Sequence, residues 1–257
     1  SFIAFSALSS VVYIFNDLCD CKRDKNHPVK CKRPIASGEM SKKAAIALII
    51  ILILICIVTN YLACGLNDEA WALLLLYLVQ NILYSLILKK APIIDIAIIA
   101  FGFLIRVFYG SAISGVYVSK WLYLTIIAIS FYIGFGKRRN ELAMAKNDKT
   151  RPVLEHYTYS FLDKNMYVCS ALTIVFYSLW SVSDTTMTHL GKNALVCTVP
   201  LVILICIAYS LSVEKSNVDD PVDILFQNKF LLALIIVYGI SVIDIVYLNR
   251  ITKLLLL

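Results

Sequence analysis

Asn16–Gly38 reads NDLCDCKRDKNHPVKCKRPIASG and separates two long apolar runs, Ser1–Phe15 and Ala44–Ala63. Asn16, Asp20 and Asp24 recur every four residues, and Asp17, Asp20 and Asp24 lie three and four apart, so on a helix leaving an apolar run they share one side. Carboxylates crowded in this way repel one another unless a cation lies among them. An oxygen-only donor set, without the His/Cys combinations that softer metals prefer, suits a hard ion such as Mg²⁺. Lys22, Arg23, Lys25, Lys30, Lys32 and Arg33 are interleaved with the acids or follow them. Mg²⁺ held through one or two carboxylates keeps its other positions for water and substrate phosphates, and Lys and Arg are the side chains that hold those phosphates. Acids followed by bases therefore indicate a site for a metal and a diphosphate.

A charge run between apolar segments is ordinarily a solvated loop that sets topology. Such a loop needs Lys and Arg but gains nothing from carboxylates at helical spacing, so the spacing of the acids carries the functional signal. The whole chain has 257 residues, of which 60% are hydrophobic and 16% charged, and its mean hydropathy is +0.80. That composition excludes an ordinary soluble domain. Runs of membrane-spanning length fall near Ser1–Phe15, Ala44–Ala63, Trp71–Leu88, Ile93–Gly115, Trp121–Gly136, Met166–Ser183, Ala194–Leu211 and Phe230–Leu248. The expectation is an all-α polytopic membrane bundle with eight transmembrane helices in one domain over 1–257. The first run rises only about 22 Å as a helix against roughly 30 Å of hydrocarbon, which suggests a missing N-terminal portion.

Most of the 24 Lys and Arg lie in the loops after the first, third, fifth and seventh runs. Positive-inside then assigns those loops, and the Asn16–Gly38 stretch with them, to the cytoplasm. The net charge of +7 thus reflects orientation and phosphate handling, with no nucleic-acid signature beyond it. Of the eight cysteines, Cys56, Cys64, Cys169, Cys197 and Cys206 sit in or near apolar runs as small hydrophobes. Cys19, Cys21 and Cys31 lie on the face assigned to the reducing cytosol, at spacings that fit no standard zinc site.

Asn16-Asp17-x-x-Asp20-x-x-x-Asp24 resembles the first aspartate-rich motif of the UbiA superfamily of intramembrane prenyltransferases. The longer string, through His27-Pro28-x-Lys30-x-x-Arg33-Pro34-Ile35-Ala36-x-Gly38, is similar to its decaprenyl-phosphate phosphoribosyltransferase branch. The resemblance continues in YSLILKK, which ends at Lys89 and Lys90, and in Asp95, GFLIR and Gly110. On one helix Asp95 and Arg106 would project from the same face about 16 Å apart, too far to pair. An intramembrane Arg faces a bundle interior or cavity, where helix-end carbonyls or a buried acid would engage Arg106.

Gly134-Phe135-Gly136-Lys137-Arg138-Arg139-Asn140-Glu141-Leu142 stands where the superfamily has its second polar motif, and looks like the Lys-Arg-x-x-Glu form of this branch. The glycines would let a ligand approach the backbone, and Lys137 and Glu141 would neighbour one another if the helix continues. Aromatic prenyltransferases instead place a second aspartate-rich motif there. Arg151-x-x-Leu154-x-x-Tyr157-Thr158 resembles the same branch, with Arg151 reaching a phosphate and Tyr157 a ribose hydroxyl. In the last loop, which also looks like that branch, Asn228 stands where an aspartate is expected.

The resemblance implies transfer of 5-phosphoribosyl from phosphoribosyl pyrophosphate to a polyprenyl phosphate, with Mg²⁺ as cofactor. It assigns the metal to Asn16, Asp20 and Asp24, with Asp17 beside them. Lys30, Arg33, Lys137 and Arg138 would bind diphosphate or the 5-phosphate, and Glu141 would orient a lysine or the ribose. His27, Lys89 and Asp95 complete the expected substrate contacts, in a multi-pass plasma-membrane protein of prokaryotic type. Two other readings stand beside it: an aromatic prenyltransferase acting on a quinone precursor, and a non-enzymatic transporter or lipid-binding protein. Against the second, no inverted repeat of hydropathy is visible.

Overall fold

The structure is a computed structural model. It describes residues 1–26, 30–144, 152–184, 186, 193–215 and 220–255, all of whose regular elements are helical. The chain divides into two compact units, with Ser1–Val118 in one and most of 119–257 in the other.

In the first unit, α1 (Phe2–Asp24) packs on α3 (Lys42–Cys64) and α4 (Asp68–Leu86), and α4 packs on α5 (Ile94–Ser114). The opening run is longer than its apolar part suggests. The helix passes unbroken from Phe2 through the acid motif to Asp24, and its 23 residues rise about 34 Å, enough to cross a bilayer. Hydrogen bonding explains the continuity, since a polar side chain at a helix end can reach solvent or a partner while the backbone ladder stays closed. A buried core of Phe5, Leu8, Val12, Leu74, Tyr77, Ile105 and Tyr109 ties α1, α4 and α5 together, with Phe5 centred 4.6 Å from Tyr77 and 5.2 Å from Tyr109. Gln80 donates across to Ile98 O on α5 at 3.3 Å, the structural bond between helices that an amide in hydrocarbon usually makes. Ile50, Leu54, Val58 and Leu62 on α3 are more than half exposed, the apolar face of a helix turned to lipid.

Between α1 and α3, Pro34 opens the single-turn helix α2 (Pro34–Ser37), and Gly38 at φ 91° closes it in the left-handed conformation that glycine adopts without strain. Ser41 caps α3 by accepting from Ala44 N at 3.2 Å. Asn67 does the same for α4, from Ala70 N at 3.1 Å.

The second unit contains α6 (Lys120–Met144), α7 (Tyr159–Ser181), α8 (Val199–Lys215), α9 (Pro221–Gln227) and α10 (Lys229–Leu255). Helices α6 and α7 pack along each other, and α8 packs against both. Tyr132 joins α6 to α8, its hydroxyl donating to Cys206 O at 2.6 Å and its ring meeting that of Tyr209 edge-on at 5.2 Å. Gly136 serves packing rather than ligand approach: a Cβ there would lie 3.2 Å from the Tyr209 hydroxyl and 3.4 Å from Val213.

Among the described residues five helices are long and apolar enough to cross a membrane, or six if the bent pair α9–α10 counts as one, rather than the eight expected. The shortfall falls on α6 and α7. With 25 and 23 residues they have the length. They also bury Thr125, Ser130, Arg138, Asn140 and Glu141, and Thr173 and Ser181, inside the unit, and those polar groups lower their hydropathy.

Asn228, where an aspartate was expected, holds the 99° elbow between α9 and α10. Its Oδ1 accepts from Phe230 N at 3.0 Å and Leu231 N at 3.2 Å, while its Nδ2 donates to Ser212 Oγ at 2.7 Å. Ser212 spends its own proton on Ala208 O. An aspartate could keep the cap but would meet Ser212 lone pair to lone pair. Asn228→Asp is therefore expected to lower stability by about 1 kcal/mol, read as a lower thermal midpoint in detergent; an unchanged midpoint would contradict this account of the elbow.

Candidate active site

The acid motif occupies the last turns of α1, where 3.6 residues per turn bring Asn16, Asp17, Asp20 and Asp24 to one side, as the spacing predicts. Asp20 and Asp24 are buried. The acids do not gather around one another: each is met by a base. Lys89 Nζ donates to Asp20 Oδ1 at 2.5 Å, and Arg23 Nη2 lies 2.9 Å from Asp20 Oδ2. A single Arg33 nitrogen, Nη1, donates to both Asp17 Oδ1 at 2.7 Å and Asp24 Oδ2 at 2.9 Å. Among the described residues no three His, Cys, Asp or Glu side chains are arranged to hold a metal ion.

Arg33 reaches back to α1 because its backbone is fixed. It is the N-cap residue of α2, whose Ile35 packs with Cys21 of α1 and Ala45 of α3, while Cys21 Sγ donates to Ile35 O at 3.6 Å. Lys89 comes from the 3₁₀ turn Leu88–Lys90 that follows α4, and is buried with its acid rather than serving as a membrane-interface anchor. The chain then turns through Ile93 at φ 70° and ψ −45°, a positive-φ conformation costly for a β-branched residue. Asp95 follows in the first turn of α5, fully buried. Lys30 lies in the 3₁₀ turn Lys30–Lys32. His27 and Arg151 lie outside the described residues.

The donor chemistry of α1 fits a divalent hard cation: one amide and three carboxylates share a face, and Asn16 Oδ1 is buried with no hydrogen-bond partner among the described residues. Deeper in the unit, Arg106 meets neither helix-end carbonyls nor an acid among the described residues. It lies over the rings of Phe5, Tyr77 and Phe103 at 5.4–5.8 Å and donates to Ser9 Oγ and Tyr77 Oη at 3.2 Å each. Cation–π faces and hydroxyls hold its charge inside the bundle.

In the second unit, α6 continues through the basic motif to Met144, so the 137–141 segment is helical. Glu141 takes Arg138 at i+3, with Nη1 to Oε2 2.5 Å, rather than Lys137 at i+4. Arg138 is 1% exposed and Glu141 is buried, whereas Lys137 is only partly buried, which decides the choice between two neighbours the helix makes almost equally near. Arg139, which the sequence left without a role, donates to Asp163 Oδ1 of α7 at 2.6 Å and to Val213 O of α8 at 3.1 Å. Tyr157 is buried and stacks on Phe161 at 5.9 Å. Tyr209, also unanticipated, buries a hydroxyl that has no hydrogen-bond partner among the described residues and packs edge-on against Tyr132. No spacing rule would have found either contact, because both depend on which helices α6 packs against.

Apolar helices turned outward to lipid, with buried carboxylates bound to guanidinium and ammonium groups at a helix end, define an integral membrane protein with an acid–base site. Residues 1–235 match the UbiA prenyltransferase family, and the chain belongs to that family of membrane transferases. It is 28% identical over 251 residues to the decaprenyl-phosphate phosphoribosyltransferase of Corynebacterium glutamicum, covering 96% of this chain and 75% of the relative. It is also 28% identical over 240 residues to the enzyme of that name from Mycolicibacterium smegmatis, covering 90% and 74%. The fold is similar to that of a UbiA homologue from Archaeoglobus fulgidus bound to GPP and Mg²⁺, with TM-score 0.70, 20% identity, and coverage of 95% of this chain and 86% of that one.

Proposed function

We propose that the protein transfers a 5-phosphoribosyl group from phosphoribosyl pyrophosphate to a polyprenyl phosphate at the cytoplasmic face of the membrane, releasing pyrophosphate. The carrying observation is the row of α1 carboxylates, each engaged by a base from the following loop, from Lys89 or from α1 itself. The names of the relatives support the substrate pair. The Lys-Arg-x-x-Glu form of the second motif favours it over aromatic prenyl transfer. In this reading α6, α7 and α10 cross the bilayer beside the five apolar spans, giving eight.

Asn16, Asp20 and Asp24 would hold Mg²⁺, with Asp17 adjacent. A divalent ion there supplies positive charge against the negative charge that develops on the leaving pyrophosphate. Lys30 and Arg33 donate to the diphosphate, and Lys137 and Arg138 to phosphate oxygens. Glu141 holds the Arg138 guanidinium in one orientation. The acceptor phosphate is already an anion near neutral pH, so no strong base is needed, and positioning provides much of the rate.

Membranes containing the protein, given radiolabelled phosphoribosyl pyrophosphate and a panel of polyprenyl phosphates, are expected to move label into a lipid fraction, and to stop doing so when EDTA is added. Label that stays water-soluble with every acceptor, while a prenyl diphosphate and a quinone precursor react, would replace this reading with the aromatic one.

A further inference from the structure

Arg33 and Lys89 both neutralise the α1 acids, but they are seated differently. Lys89 is 9% exposed and lies against an Asp20 that is nearly as buried, so neither can leave the pair without stranding a charge in low dielectric. The Arg33 side chain is 36% exposed, and its Nη1 spans two carboxylates seven residues apart on one face of α1. Its backbone is anchored through Ile35, but its guanidinium is partly exposed and can turn outward at small cost.

We propose that Arg33 is an exchangeable counter-ion. It holds Asp17 and Asp24 until a divalent cation takes Asp24, with Asp17 beside it, and its guanidinium then turns to the diphosphate. This inference rests on the metal reading above. The electrostatics follow from charge: two carboxylates and one guanidinium sum to −1, and a divalent ion brought beside them makes the group +1. The guanidinium is then repelled from the place it held, and the excess positive charge is what a diphosphate requires. Cation and diphosphate therefore bind with positive coupling, and Arg33 transmits it. Lys89 stays on Asp20 Oδ1 and does not exchange; Asp20 would meet the ion through the lone pairs that Lys89 leaves open.

The test is Mn²⁺ binding followed by electron paramagnetic resonance on the full chain in detergent or nanodiscs, with and without inorganic pyrophosphate. In the unaltered protein pyrophosphate is expected to tighten Mn²⁺ binding about tenfold, within the usual range of such couplings. Arg33→Gln is expected to bind Mn²⁺ alone about tenfold more tightly, because the competitor is gone, and to lose the response to pyrophosphate. Arg33→Lys, which keeps the charge, should stay close to the unaltered protein in affinity for Mn²⁺ alone. Arg23→Gln removes a comparably exposed charge from Asp20 and should change Mn²⁺ affinity much less than Arg33→Gln does. Equal or weaker Mn²⁺ binding by Arg33→Gln, or an equal gain in Arg23→Gln, would overturn the exchange while leaving the metal reading in place. Absence of Mn²⁺ binding in every variant, with or without pyrophosphate, would overturn both.

Discussion

Asp20→Asn is expected to abolish transfer, by at least about 10²–10³-fold, and also to destabilise the protein. The structure adds the second half of that expectation. Asp20 is the carboxylate partner of Lys89, and both are buried. Removing one member of a buried ion pair leaves the other charge short of compensation, at a cost of about 3–5 kcal/mol. A loss of activity in this variant alone would thus mix chemistry with folding. The double change Asp20→Asn with Lys89→Met separates them, because replacing both members of a buried pair is often neutral or stabilising. The double variant is expected to recover its thermal midpoint and remain inactive. If either variant turns over at the normal rate, Asp20 is not part of the metal and diphosphate machinery.

Arg138 and Glu141 offer the second large effect. With the guanidinium 1% exposed, Glu141→Gln removes a buried negative charge 2.5 Å from a buried positive one, and Arg138→Met does the converse. Each single change is expected to cost about 3–5 kcal/mol of stability, visible as a lower midpoint and as loss of protein from the membrane fraction. The double change should restore much of the stability. If Arg138 binds phosphate, all three variants show a raised KM for phosphoribosyl pyrophosphate. If the pair is only a packing device, the double variant regains activity together with its midpoint. Lys137→Met should raise KM with little change in midpoint, because Lys137 is not Glu141's hydrogen-bonded partner and is only partly buried.

Much of the α1 site was legible because helical periodicity is a local property. Asp17, Asp20 and Asp24 share a face in any helix, whatever surrounds it. The partners were not legible at the same level. Lys89 lies far from Asp20 along the chain and meets it only because the turn after α4 returns beside α1. Arg106 on one helix face predicts a buried guanidinium, but its aromatic cage draws on Phe5 and Tyr77 from two other helices. Gly136 read as an opening for a ligand because glycine permits close approach of any kind, and only the position of α8 shows that Tyr209 and Val213 make it. Asn228 looked like a lost aspartate until its amide was seen to donate and accept at once.

Composition, period and motif order are properties of neighbouring residues, and they were enough to indicate a helical membrane protein, the helix that carries the acids and the family to which the chain belongs. Only folding settled which base holds which acid, which of those bases is buried and which is exposed, and why Glu141 takes Arg138 rather than Lys137. Those choices turn on the dielectric around each charge, and burial is set by helices that the chain brings together only when it folds.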